Sequence, residues 1–407
     1  MIAKKVIKLS DLDSHKILKK NIDDKTSSLQ FLPKALFDIS KEKYIYYNDK
    51  KLKTTYLIDI THNLILKYYY RKVNKFHLSS NILKEKYGNN YNYYMNYLLD
   101  NKILLLLSNY KKGYNTKIYA IYETILNDEI VRYHNYDKIL LKKYKNNILE
   151  LKEDDDTNGE KIDNDIKLKL VNDLFKVDIQ LDRSIFFLDS LKDNDLSIYN
   201  HNKYSVESIH NRHIFYHFDA YGRMHTNFTI LKSFIRKNCL LIDGCETLEI
   251  DISNSQPLFL TKLIKDSGTK WVDKEEYELL YNITSNGVFY EYIMKHMSIP
   301  DRKSAKNLIY KVLFGKNYSK SDKIFQDLFP TTYNYIKLYK KECGDYKALS
   351  YSLQRAESNL IFNKIIRHIM NVVDVPMITI HDSIVYPKQY KEIIEPIFHE
   401  ELKKAFD

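Results

Sequence analysis

Two aspartates stand where a carboxylate is costly. Asp251 follows the alternating apolar positions of ETLEIDISNSQPLFL, residues 246–260, and Asp382 interrupts the apolar MITIHDSIVYP, residues 377–387. Each stretch reads as a strand, the first of them broken at Pro257. If the two strands pair in one sheet, their carboxylates become neighbours that repel, and burying them without a cation is unfavourable. Divalent metals resolve the conflict, because Mg²⁺ takes one or two carboxylates together with phosphate oxygens. A pair of such ions also stabilises the attacking and leaving oxygens of an in-line phosphoryl displacement. Taken singly, each aspartate is better read as a strand-end or turn carboxylate.

A third stretch, DRKSAKNLIYKVLFGKNYSK (301–320), follows Pro300 and reads as one helix from an Asp301 cap to Gly315. Arg302, Lys306, Tyr310 and Phe314 recur every four residues and share a broad face. Cations suit a triphosphate, an aromatic suits a base or sugar, and Gly315 suits close backbone approach. The plainer interpretation is a row of solvated lysines beside a core stripe.

In this order the three stretches resemble motifs A, B and C of the family A nucleic-acid polymerases. That group holds the DNA polymerase I type and the single-subunit RNA polymerases of phages and mitochondria. GRMHTNFTILKSFIR (222–236) is similar to the Gly-Arg segment before motif A, and SYSLQRAESNL (350–360) to the helix before motif C. The resemblance covers residues 205–400, roughly half the chain. It implies that Asp251 and Asp382 bind two Mg²⁺ ions, with Mn²⁺ as a substitute and the Ile252 backbone carbonyl as a further ligand. Arg302 and Lys306 would hold the phosphates of an incoming nucleoside triphosphate, and Lys306 would also protonate the leaving pyrophosphate. Tyr310, Phe314 and Gly315 would lie against its base and sugar, while Arg223, Gln354 and His381 would touch the primer–template. Gln256 takes the place of a glutamate that screens out ribose in the DNA branch and of a small residue in the RNA branch. Ser383 and Gln256 pull towards ribose tolerance; Tyr310 and Gly222-Arg223 look like the DNA branch. The expected activity is that of a minimal DNA polymerase of a plasmid, phage or other mobile element. Its partners would be a DNA template, a DNA or RNA primer and nucleoside triphosphates. An RNA polymerase or primase-like enzyme starting de novo, and a DNA-binding replication initiator with an inactive core, are the alternatives.

These residues need a scaffold of the α+β class: a right-hand polymerase with palm, fingers, thumb and an antiparallel palm sheet, plus an N-terminal winged-helix-like module. The expected division is an N-terminal module over 1–130, a linker and thumb-like helices over 131–205, palm over 206–262 and 341–407, and fingers over 263–340. Within 77–123, LSSNILKEKYG and NNYNYYMNYLLDNKI read as helices, and the apolar runs flanking Lys112-Gly113 as a hairpin. The second helix would enter a groove and Lys111 and Lys112 would touch phosphates, unless the module serves protein contact or packing. Residues 165–191 read as a helical pair, and the acidic LKEDDDTNGEKIDND (151–165) as a solvated loop. LIDITHN (57–63) reads as a strand with one aspartate, and Thr61 stands where a proofreading exonuclease would need a second acid.

Composition sets the outer limits. A formal charge of +11 and a pI near 9.0 suit a polyanionic partner, although a chain rich in Lys, Asn, Ile and Tyr is also what a low-GC genome produces. The 36 tyrosines could stack on bases, but most are expected to pack at the rim of the core. Three cysteines form neither a metal-ligand pair nor a disulfide framework, and no apolar run approaches a membrane span. With no secretory h-region at its start, the chain is expected in the cytoplasm, away from membranes.

Overall fold

Two hydrophobic cores organise the chain. One gathers residues from Leu29 to Leu140 together with Tyr204, and the larger joins Ile22 to residues from Ile148 to Phe406. In this computed structural model the described residues are 7–8, 22, 24–71, 73–111, 116–151, 161–192, 195–268, 271–317 and 320–406. Helices and antiparallel strands mix in both halves. No helix among the described residues is long and apolar enough to cross a membrane.

The first core forms beneath β1 (Ser28–Pro33), the hairpin β2 (Tyr44–Tyr47) and β3 (Lys50–Lys53), and the helix α1 (Thr54–Arg71). There follow β4 (Phe76–Leu78), α2 (Ser80–Tyr87), α3 (Tyr91–Asp100), β5 (Leu104–Ser108), β6 (Lys117–Ile121) and β7 (Ile130–Asn135). Strand β6 lies between β4 and β5, while β7 pairs with β1. Helix α2 stops at Gly88, whose φ of +81° lets its N–H turn back to the Lys84 carbonyl. Residues 57–63 lie within α1 and form no strand. Asp59 there accepts hydrogen bonds from Gln30 (2.7 Å) and Tyr87 (2.6 Å) and pairs with Lys86. Residues 56–62 are buried on every side, so no exposed face marks a helical period there.

The groove-binding role expected of α3 meets an obstacle. Its sequence has no cation, and its exposed positions are Asn92, Asn96 and Asp100. The β2–β3 hairpin rests on its flank, with Tyr47 edge-on to Tyr97 and the Lys50 ammonium over Tyr93. Phosphates therefore find no cation on α3 itself. Lys111 is exposed beside it; Lys112 lies outside the described residues. Because β7 pairs with β1, the border between the cores falls inside α4 (Lys138–Leu149), beyond the expected boundary at 130.

In the larger half, α5 (Asn164–Leu174) leads through β8 (Val177–Ile179) into α6 (Leu181–Lys192) and α7 (Leu196–His210). The expected helical pair thus contains a strand of three residues, too short to show a period. A small hairpin, β9 (Tyr216–Phe218) and β10 (Met224–Thr226), precedes β11 (Leu240–Ile242) and β12 (Cys245–Asp251). Helices α8 (Ser255–Asp266), α9 (Phe289–Met297), α10 (Arg302–Phe314), α11 (Pro330–Glu342) and α12 (Ala348–Asn359) follow. The chain ends with β13 (Ile378–Ile380), β14 (Ser383–Pro387) and α13 (Lys391–Phe406). The main sheet is five-stranded and antiparallel, in the order β8-β11-β12-β14-β13.

Two expectations about the strands change. Pro257 breaks nothing: it sits in the first turn of α8, where a missing N–H is harmless. Residues 377–387 form a tight hairpin in place of a single strand, with His381-Asp382 as its two-residue turn between the paired Ile380 and Ser383. Asp382 therefore sits at a strand end, where a polar side chain can point out of the sheet.

Candidate active site

Strands β12 and β14 pair with Asp251 opposite Ser383, and the Ile252 N–H donates to the Asp382 carbonyl (3.1 Å). This register brings Asp251 and Asp382 to one end of the sheet. His381, at φ +55°, makes the reversal that carries Asp382 there. Burial pushes the Asp382 carboxyl up to about 6, and the charges of Glu357 and Asp251 add to the effect. Three acids thus act on one another at this end of the sheet, and a cation would relieve their repulsion.

Glu357 and its partners make up the floor. One carboxylate oxygen accepts both Nε (2.9 Å) and Nη2 (2.5 Å) of Arg223. The other accepts the Ser255 hydroxyl (2.7 Å) and the Gln256 side-chain amide (2.5 Å). Glu357 is 1 % exposed, so the ion pair is desolvated and held by hydrogen bonds on both sides. Next to Arg223, Gly222 adopts φ +83° and lets the chain pack against Ser358 and Ile162, which a Cβ there would meet at 3.1 and 3.2 Å. Arg223, expected on a primer–template, thus spends two of its donors inside the protein. Gln256 is buried, and its Oε1 has no hydrogen-bond partner among the described residues. The Ser383 hydroxyl donates to Glu249 (3.0 Å), itself gripped by Arg236 (2.9 Å), so its role in the structure is to brace the strands.

Helix α10 forms as its sequence implies. Asp301 caps it by accepting the Ser304 N–H (2.9 Å) and hydroxyl (2.6 Å). Ala305, Ile309, Val312 and Leu313 fill the core, which leaves Arg302 and Lys306 exposed and Tyr310 and Phe314 half-buried. The Lys306 ammonium lies 5.3 Å from the Tyr310 ring, and that ring 5.1 Å from Phe314. Arg302 lies over the Tyr290 ring and bonds Glu291 (3.0 Å). Tyr290 is buried, and burial raises its hydroxyl pKa, with Tyr310 and Asp382 adding and Arg302 opposing. Tyr290 thus sits under Arg302 of the α10 face, and Asp382 is among the charges that act on it. Gly315 answers to its own helix: a Cβ there would lie 2.4 Å from the Lys311 carbonyl oxygen.

His381 is pushed down to about 4 by burial, helped by Arg223 and His225, and is neutral at neutral pH. Its Nδ1 lacks a partner among the described residues. Gln354 donates to Ser350 (2.9 Å) on its own helix and is half-exposed. Three contributors had no reading in the sequence: Glu357, Tyr290 and Lys340. The ammonium of Lys340, from α11, donates to the Val312 (2.7 Å) and Gly315 (2.8 Å) carbonyls and so closes the end of α10. A signal for Glu357 did exist, since Leu349, Leu353 and Glu357 recur every four residues and the first two are core positions.

The donors fit a hard divalent ion. Asp251 and Asp382 supply carboxylate oxygens on an open edge, and the raised Asp382 shows charge left uncompensated. Among the described residues no group of three or more His, Cys, Asp or Glu forms a closed cage. A carboxylate pair suits Mg²⁺, which keeps water and phosphate oxygens as its other ligands. No family model matches the chain, and no curated protein matches it.

Proposed function

We propose that the chain is a template-directed nucleotidyltransferase of the polymerase type. The observation that carries this reading is the pair Asp251–Asp382 at one sheet end, with Asp382 raised, beside a helix α10 whose exposed face carries Arg302, stacked on the buried Tyr290, and Lys306 next to Tyr310. In this reading the five-stranded sheet is the palm, the helices of 263–340 are fingers, and 131–205 supplies thumb helices. Strand β8 would make that last segment part of the palm as well.

When bound, two Mg²⁺ ions would supply charge neutralisation at the reacting phosphate and activation of the attacking hydroxyl. Asp251, Asp382 and the Ile252 carbonyl would hold them. The residues of α10 do the rest. Arg302 and Lys306 hold a triphosphate, Tyr310 and Phe314 set its base and sugar, and Lys306 gives a proton to the departing pyrophosphate. A primer 3′-hydroxyl attacks the α-phosphorus, and the bond to the pyrophosphate oxygen breaks. Neutral His381 and the orphaned Nδ1 suit contact with the primer end. DNA template, DNA or RNA primer and nucleoside triphosphates are the partners, in the cytoplasm. Primer extension with Mg²⁺ tests this: the protein should lengthen a primer by template-coded nucleotides. A protein that binds DNA but extends no primer with either nucleotide set would instead be an initiator with an inactive core.

A second reading, ribonucleotide synthesis, is favoured by Gln256. Its amide donates to Glu357, which fixes the other end as a buried acceptor. A ribose 2′-hydroxyl would pair with that acceptor and a deoxyribose, which keeps only its 3′-hydroxyl, would not; sites of this kind discriminate against the analogue lacking the hydroxyl. Gln256→Ala is then expected to lower ribonucleotide incorporation by about tenfold relative to deoxyribonucleotide incorporation. An unchanged ratio would remove Gln256 from sugar choice.

A further inference from the structure

Behind the C-terminal end of α10 lies a cavity of about 760 Å³ with no carboxylate in its lining. Lys316, Lys337, Lys340 and Lys341 line it, with Tyr346 at its edge. Lys340 is committed to the carbonyls of α10 and to Asn317 Oδ1 (3.0 Å). The other three are exposed, and among the described residues none forms an ion pair. The nearest acids in sequence, Glu342 and Asp345, do not line the cavity. Ammonium groups held around one hollow repel, and an anion between them relieves the repulsion. The Lys316 and Lys347 ammoniums lie 5.6 and 5.7 Å from the Tyr346 ring, so cations flank an exposed aromatic. A second hollow shares Asn317 and Lys337 and adds Lys323, and its lining also holds Asp322 and Asp327. Together the two make a track rather than a single socket.

We propose that this track binds single-stranded DNA, with phosphates on Lys316, Lys337 and Lys341 and a base on Tyr346. A cationic groove interleaved with an aromatic is the pattern that grips one strand without reading its sequence. At about 760 Å³ the hollow has room for a nucleotide or two. Through Lys340 and Asn317 its wall is joined to the end of α10, so a strand there lies directly behind the nucleotide-holding helix. That the strand is the template rests on the polymerase reading; that it binds does not.

The test is fluorescence anisotropy of the full chain with a labelled oligothymidylate across a salt series. The combined variant Lys316→Gln, Lys337→Gln, Lys341→Gln is expected to bind about tenfold more weakly, with a salt slope shallower by about two, since each phosphate contact contributes about 0.7. Tyr346→Ala should weaken binding severalfold and Tyr346→Phe should not. A control removing Lys274, Lys391 and Lys403 in the same way should bind like the parent. The proposal is overturned if the two triple variants behave alike, or if inorganic tripolyphosphate displaces the strand as well as unlabelled oligonucleotide does. Asp251→Asn/Asp382→Asn should keep full strand affinity, so loss of the groove and failure of the polymerase reading give separate results.

Discussion

Asp382→Asn is expected to end nucleotide transfer and, in the metal-free protein, to raise thermal stability above that of the parent at neutral pH. The reason is the pKa. Asp382 titrates at about 6 in the fold against an ordinary 3.8, because burial, Glu357 and Asp251 all disfavour its charge. The folded state therefore holds this proton longer than the unfolded chain. Its contribution is full below about pH 4 and is lost as pH rises through 6, a decline of about 2–3 kcal/mol. Asparagine carries no charge at any pH and escapes that loss. Melting curves in EDTA at pH 5 and pH 7.5 should show the parent losing ground to the variant as pH rises. Added Mg²⁺ should raise the parent's Tm and leave the variant's nearly unmoved, since the ligand that made the site costly is gone. A variant less stable than the parent in EDTA at pH 7.5 would contradict this assignment of charge.

Glu357→Ala should produce the second large effect, on folding. It strands the Arg223 guanidinium in a desolvated place and removes the acceptor of Ser255 and Gln256. Breaking a buried pair from one side typically costs about 3–5 kcal/mol. Arg223→Met together with Glu357→Leu should lose much less, because neither partner is left charged. Urea unfolding of Arg223→Met, Glu357→Leu and their combination closes the cycle that gives the coupling. Equal losses in Glu357→Ala and the double variant would mean that the pair is not coupled. Because Glu357 also holds the Gln256 amide, a soluble Glu357→Gln protein should shift the ratio of ribonucleotide to deoxyribonucleotide incorporation.

What the sequence made legible was local. Helix α10 could be placed because its cap, its four-residue spacing and its closing glycine all lie within a few residues of one another. The hairpin at Asp382 stayed hidden, since its turn uses His381 at positive φ, where glycine or asparagine would have announced it. Pro257 misled because a proline ends a strand and begins a helix with equal ease. The floor of the site was out of reach for another reason. Arg223 and Glu357 are 134 residues apart, and no local pattern says that an arginine and a glutamate will meet. Within 77–123 the order helix, helix, hairpin was readable, whereas 57–63 reads as a strand and folds as part of α1, and the covering of α3 by the β2–β3 hairpin depends on tertiary packing.

Extension of a labelled primer on a defined template, with parent, Asp251→Asn and Asp382→Asn proteins side by side in Mg²⁺, tests the central claim most directly. The parent should extend the primer and each variant should fall by at least about a thousandfold, as loss of a ligand from a two-metal site implies. Extension by either variant at the parental rate would show that these carboxylates do not form the catalytic site.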